Sequence, residues 1–165
     1  MRKSCLVVGL LLFVTSFAGA QEKMSGVAHC PALKPSYTIP VGDHEGHTYG
    51  LAQGTCTWTK PWQIAGVKNT QGVGTQQQET SGDTTKVHGV FVDTMANGDK
   101  AFYNFEFSLV TKKDGPHVMN HKWELVGGTG KLKGVKGKGT CTAKSTGSDS
   151  GYDYNCQGEY TSAKP

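Results

Sequence analysis

Two stretches of this 165-residue chain crowd chemically capable side chains together, and a third feature is a pair of histidines in apolar surroundings. Asp43-His44-Glu45-Gly46-His47 gathers two imidazoles and two carboxylates within five positions. The zinc pattern H-E-x-x-H needs its histidines four apart on one helix face. Here they are three apart, with a glycine between them and no helical periodicity around them. The expectation is a solvated loop, with a loosely held surface metal as the alternative, because structural metal sites want four ligands. Gly127-Gly128-Thr129-Gly130-Lys131 invites a phosphate-loop reading. Leu125 stands where the first loop glycine belongs, Leu132 where a Ser or Thr would hold magnesium, and no helical pattern follows. The dinucleotide pattern G-x-G-x-x-G fails too, because Gly134 comes one residue late. A structural turn is the better account. Nor does any G-x-S-x-G elbow set a serine beside a base. No catalytic residue, cofactor or metal ligand is assigned.

Arg2 and Lys3 precede an apolar run from Leu6 to Phe17, and Ala18-Gly19-Ala20 supplies small residues at a cleavage point. That layout predicts a secretory signal peptide over residues 1–20. The run is short for a membrane span and no later segment is long and apolar enough, so no membrane anchor is expected. Arg2 is the only arginine, and it leaves with the signal. Without the bidentate guanidinium fork the mature chain is poorly equipped for nucleic acid, and its lysines read as a solvated surface. Cys5 also leaves, and Cys30, Cys56, Cys141 and Cys156 remain. An even set in an exported chain implies two disulfides, with three possible connectivities. Cys141 and Cys156 flank a cluster of Ser, Gly and Asp, and a hairpin there sets them opposite each other. This favours Cys141–Cys156 and leaves Cys30–Cys56. The expected location is periplasmic or secreted.

The elements that must position these groups are strands. Residues 21–48 hold Pro31, Pro35 and Pro40 without periodicity and read as an extended, irregular lead-in. From 49 to 165 β-rich runs alternate with turn clusters around Pro61, Ser81-Gly82, Asn97-Gly98, Asp114-Gly115, Gly127-Gly128 and Gly147. The runs are long, roughly ten to twelve residues against a usual five to six. Long strands joined by short loops predict an all-β fold, a single up-and-down antiparallel β-barrel stapled by its disulfides.

A two-residue turn at Asn97-Gly98 pairs Val92 with Tyr103, Val90 with Phe105 and His88 with Phe107. A second hairpin centred on Asp114 pairs Leu109 with Met119, Phe107 with His121, Phe105 with Trp123 and Tyr103 with Leu125. Together they sort three strands into an apolar wall, assigned to the interior, and a polar wall carrying Asp93, Asn104 and Glu106, assigned to solvent. His88 and His121 fall in the apolar wall on either side of Phe107, about 10 Å apart by strand spacing and too far to share a metal. They are either core histidines satisfied by a neighbour or water, or two polar handles in an apolar pocket.

Val126-Gly127-Gly128-Thr129-Gly130-Lys131-Leu132, followed by Gly134, Val135 and Gly137, resembles the V-G-G-T-G-K-F-x-x-A-x-G stretch of the allene oxide cyclase and dirigent barrel superfamily. The resemblance implies about eight strands, frequent assembly into homo-oligomers, and a lumen that holds a hydrophobic ligand or guides a reactive one. After Leu132 the chain departs from the dirigent pattern, with Lys133, Gly134, Val135 and Lys136 where an arginine would follow. The resemblance therefore carries over no catalytic residue.

The first functional expectation is an exported barrel binding a small hydrophobic or aromatic molecule, with His88, Tyr103, Phe105, Phe107, His121 and Trp123 lining the site. A ligand-free structural or interaction module is the second, and a dirigent- or cyclase-like reaction-guiding protein the third.

Overall fold

The protein's structure, a computed structural model, describes residues 21–110, 118–146 and 151–162. The expected signal segment 1–20 and the turn around Asp114 lie outside the described residues. Ten strands run in chain order: β1 Gln21–Cys30, β2 Ser36–Pro40, β3 Thr48–Lys60, β4 Gln63–Ile64, β5 Val67–Ser81, β6 Thr84–Met95, β7 Lys100–Val110, β8 Val118–Gly128, β9 Lys136–Ser145 and β10 Tyr152–Thr161. Eight of them, β1, β3, β5, β6, β7, β8, β9 and β10, pair antiparallel in that cyclic order, and β10 closes the ring onto β1. This is the closed up-and-down barrel expected from the long strands. β2 pairs beside the start of β3, and β4 forms a short hairpin with β5.

Residues 21–30 depart from the irregular lead-in expected there, because β1 is a full barrel strand between β3 and β10. Its inward positions are Met24, Gly26, Ala28 and Cys30. Two of these are the smallest residues available, so the alternation is nearly invisible to a hydrophobicity reading. The reason for small residues is spatial: a Cβ on Gly26 would meet the six-membered ring of Trp58 at 3.1 Å.

The same device recurs around the barrel. The benzo ring of Trp123 lies against Gly139 of β9 and Gly158 of β10, Phe105 against Gly89, and Phe91 against Gly72 and Gly74. Inward glycines thus leave room for aromatic rings from neighbouring strands, the large-and-small alternation by which narrow barrels fill themselves. The lysine- and glycine-rich β9 is a barrel strand for this reason and not an exposed ribbon.

The hairpin at Asn97-Gly98 differs from its expected form. Met95 N–H donates to Asp99 O at 2.8 Å and Gly98 N–H to Met95 O at 2.9 Å. Gly98 sits at φ 85°. The loop therefore has three residues, Ala96 to Gly98, a type I turn followed by a left-handed glycine. The extra residue slips β6 by one, pairing Phe91 with Tyr103, Val90 with Asn104 and His88 with Glu106. Every side chain of β6 changes face. His88, Val90 and Val92 leave the apolar wall, while Phe91 and Asp93 enter it. The second hairpin matches its expected register from Tyr103–Leu125 to Glu106–Lys122.

One end of the barrel is plugged. The Val126–Leu132 stretch ends β8 at Gly128 and continues into a 3-10 turn at Gly130–Leu132, and Leu132 and Val135 are fully buried beneath the strands. Its backbone N–H at Lys131 donates to Asp99 Oδ2 at 3.0 Å. A carboxylate of the neighbouring turn thus takes the place a phosphate would hold. Trp62 and Ile64, from the β3–β5 connection, join Leu132 and Val135 in the main buried core. Both disulfides form as cross-links between neighbouring strands: Cys30–Cys56 joins β1 to β3, and Cys141–Cys156 joins directly opposed residues of β9 and β10.

The ring-in-glycine packing predicts that Gly139→Ala lowers unfolding free energy by about 1–3 kcal/mol, the cost of overpacking. Lys138→Ala on the outer face should change it by less than about 0.5 kcal/mol. Urea titrations of both variants check this; equal effects would mean that Trp123 does not need the space.

Candidate functional site

Between the plug and the opposite end the lumen holds a cavity of about 110 Å³. Its walls are largely aromatic, with Trp58, Trp62, Tyr103, Phe105 and Trp123 contributing rings and both disulfides contributing sulfur. Leu33, Gln76, Phe105 and Tyr154 at the rim are only half-buried, so the cavity approaches solvent away from the plug.

Tyr103, His121 and Trp123 are buried and point inward, and Phe105 and Phe107 are inward and half-buried. Phe107 stacks on His121 with ring centroids 3.8 Å apart, and Tyr154 meets the same imidazole edge-on at 4.9 Å. His88, expected beside them, lies on the outer wall instead, its Nδ1 4.0 Å from Glu106 Oε2. The one-residue slip of β6 is the cause. Asn104 and Glu106 are exposed as expected.

Asp93, expected to face solvent with them, is completely buried. Trp58 Nε1 donates to its Oδ1 at 2.6 Å and Asn69 Nδ2 to its Oδ2 at 3.2 Å. Tyr103 OH and Trp62 Nε1 sit near enough to interact electrostatically with the carboxylate, but neither meets it in hydrogen-bond geometry. Loss of water around the carboxylate outweighs these donors and pushes its pKa up to about 6. The same burial, reinforced by Asp93, keeps Tyr103 well above the usual phenol range. His121 is pushed down to about 4 because burial penalises the imidazolium. At neutral pH the lumen therefore holds a neutral imidazole, a neutral phenol and a mostly ionised carboxylate.

Sequence reasoning missed Asp93 and Trp58. The turn length that decides the face of β6 was ambiguous, and Asp93 followed it. Trp58 was legible through alternation alone, since Cys56 and Trp58 share the inward face of β3. His121 Nε2 and Trp123 Nε1 are buried without a hydrogen-bond partner among the described residues. Such groups call for a partner from a ligand or water.

The two shifted groups oppose one another. Asp93 holds its proton more tightly folded than unfolded, so its stabilising contribution is complete below its ordinary 3.8 and lost as pH rises to about 6. His121 resists protonation when folded, so its contribution is present above 6.5 and lost as pH falls to about 4. Each is worth on the order of 3 kcal/mol across that window. Asp93→Asn should therefore make the protein less stable on going from pH 7 to pH 4.5, and His121→Phe should make it more stable. Urea midpoints at the two pH values check this, and parallel pH responses in both variants would contradict it.

No protein-family model matches the chain, and no curated protein matches it. Among solved structures it is similar to the pterocarpan synthase dirigent protein, with a TM-score of 0.50 and 13% identity over 98% of this chain and 100% of that one. At that identity the likeness is one of architecture: the barrel is dirigent-like in fold.

Proposed function

We propose that the protein is an exported, dirigent-like barrel that binds a small aromatic molecule bearing an oxygen acceptor in the open half of its lumen. The observation that carries this reading is an aromatic-walled cavity into whose lining four buried polar atoms, Trp62 Nε1, Tyr103 OH, His121 Nε2 and Trp123 Nε1, bring unmet hydrogen-bonding capacity. Size sets the class. Ligand pockets for drug-sized molecules run to roughly 300–1,000 Å³, whereas an apolar cavity of about 150 Å³ takes up benzene. At about 110 Å³ the lumen suits a single ring or one end of a longer molecule entering past Leu33 and Gln76. The two disulfides support an oxidising compartment, in agreement with the signal-like N-terminus.

A second reading, the guiding of a reactive aromatic intermediate, is favoured by Asp93. A carboxyl with a pKa near 6 is suited to exchanging protons near neutral pH. It does not line the cavity itself, so any influence on a guest passes through the Trp58 indole bonded to it or the Tyr103 hydroxyl beside it. Binding is the better supported reading because it needs only groups that line the cavity.

Binding is checked by nitrogen–proton NMR of the three tryptophan indoles during titration with p-cresol, and with 4-phenylphenol as a two-ring probe. The Trp123 signal should move saturably with p-cresol, while Trp58, held by Asp93, moves least. Gln76→Phe at the rim and Ala28→Leu in the wall should each weaken binding at least tenfold with the circular dichroism spectrum kept. A flat titration with both probes would end the proposal.

A further inference from the structure

The geometry points to a divalent transition-metal site in the β2–β3 loop, with His44, His47 and Asp43 as its ligands. This loop, residues 41–47, is closed by Val41 N–H donating to His47 O at 2.9 Å. Gly42 and Gly46 turn it at φ 86° and 75°, conformations that side-chain-bearing residues rarely adopt. These two bends bring residues 43, 44 and 47 around one point. Asp43 Oδ1 lies 2.7 Å from His47 Nδ1, and Asp43 Oδ2 lies 3.1 Å from His44 Nδ1. One candidate ligand atom from each of the three residues lies within 4.8 Å of the others. Bonds of about 2.0–2.1 Å in a tetrahedral site put ligand atoms roughly 3.3 Å apart. The carboxylate–imidazole gaps of 2.7 and 3.1 Å need to open slightly, and the widest separation within the trio, up to 4.8 Å, needs to close by about 1.5 Å to hold an ion.

The far side of each ring strengthens the assignment. His44 Nε2 is 3.0 Å from Ser81 Oγ, and His47 Nε2 is 3.4 Å from Glu79 Oε1. Glu79 in turn accepts a hydrogen bond from Tyr49 OH at 3.1 Å. Metal-binding imidazoles are commonly oriented through their other nitrogen by a carboxylate or hydroxyl; Ser81 does this for His44, while Glu79 lies near His47 Nε2 without a hydrogen bond to it. Both rings turn Nδ1 toward the same carboxylate, and His44 is bonded to Ser81 at the end of β5. His47 is largely buried, whereas His44 and Asp43 are about half exposed at 51% and 52%, so an ion here keeps one face to water.

Two imidazoles and one carboxylate favour copper(II) over zinc and disfavour magnesium. The same contacts could serve simply to hold the loop as ion pairs, and the test must separate the two roles. Chelator-treated full chain is titrated calorimetrically with copper(II), zinc(II) and magnesium(II) chlorides in a non-chelating buffer, with the spin spectrum of the copper form recorded. The expected result is one copper(II) per chain with nitrogen hyperfine splitting, weaker zinc binding and no magnesium binding. His44→Gln and His47→Ala should each lower copper and zinc affinity at least tenfold, and Asp43→Asn should lower it as well. His88→Ala, on the distant outer wall, should leave it unchanged. Undiminished binding in His44→Gln, binding lost equally in His88→Ala, or no saturable one-to-one binding in the wild type would each overturn the assignment. Zinc should also raise the melting temperature of the wild type but not of His44→Gln; an equal rise in both would likewise count against it.

Discussion

The constraint on which the rest depends is the fixed width of an eight-stranded barrel. Its interior is just wide enough for side chains to fill, and this chain points tryptophans, tyrosines and phenylalanines into it from several strands at once. Four of these rings, Trp58, Phe91, Phe105 and Trp123, lie against neighbours without a side chain. Trp123 uses the space left by Gly139 and Gly158, and Phe105 uses that left by Gly89. Aromatic rings and glycines are therefore one packing device, laid down on adjacent strands. With the rings pressed to the wall, the volume they do not occupy becomes the cavity.

This device also decides what could be read in advance. The barrel was legible from long runs joined by short turns, both disulfides from four cysteines and a hairpin between Cys141 and Cys156, and the β7–β8 register from aromatic residues alternating openly along those strands. β1 was not, since its inward face is built from Met24, Gly26, Ala28 and Cys30, residues chosen for small size more than for apolarity. The face of β6 turned on a single residue. Asn97-Gly98 serves a two-residue turn and a three-residue turn equally well, and only the bonds from Met95 to Asp99 and from Gly98 to Met95 distinguish them. On that distinction hang the exposure of His88 and the burial of Asp93. Functional residues on β6 were thus the least legible, although the hairpin itself was plain.

Asp93 is not explained by stability. Its hydrogen-bond donors, Trp58 and Asn69, are neutral, and burial still raises its pKa. A buried carboxylate supported only by neutral donors is a net cost to folding, and an apolar residue of similar size would pack there without it. What the carboxylate supplies is orientation: it fixes the indole of Trp58 and sets the electrostatics felt by the Tyr103 hydroxyl. Both residues line the cavity. The energetic cost is thus borne at the base of the lumen, where it shapes what a guest would meet.

The two ends of the barrel divide the remaining work. At one end the glycine-rich loop, the Asn97 turn and the β3–β5 connection lock together, with Asp99 bonded to the Lys131 backbone and Leu132 and Val135 sealing the base. The most recognisable sequence motif therefore reports how a barrel is closed. At the other end lie the half-buried rim and the β2–β3 loop, whose His44 is bonded to Ser81 at the end of β5. Antiparallel topology enforces this separation, because alternate turns of a meander fall at opposite ends. A closed base removes the demand for stability from the opposite rim, leaving that rim free to hold polar and strained loop geometry. Residues that select a guest or an ion are accordingly to be sought there, and substitutions in the glycine-rich loop should act on folding before they act on binding.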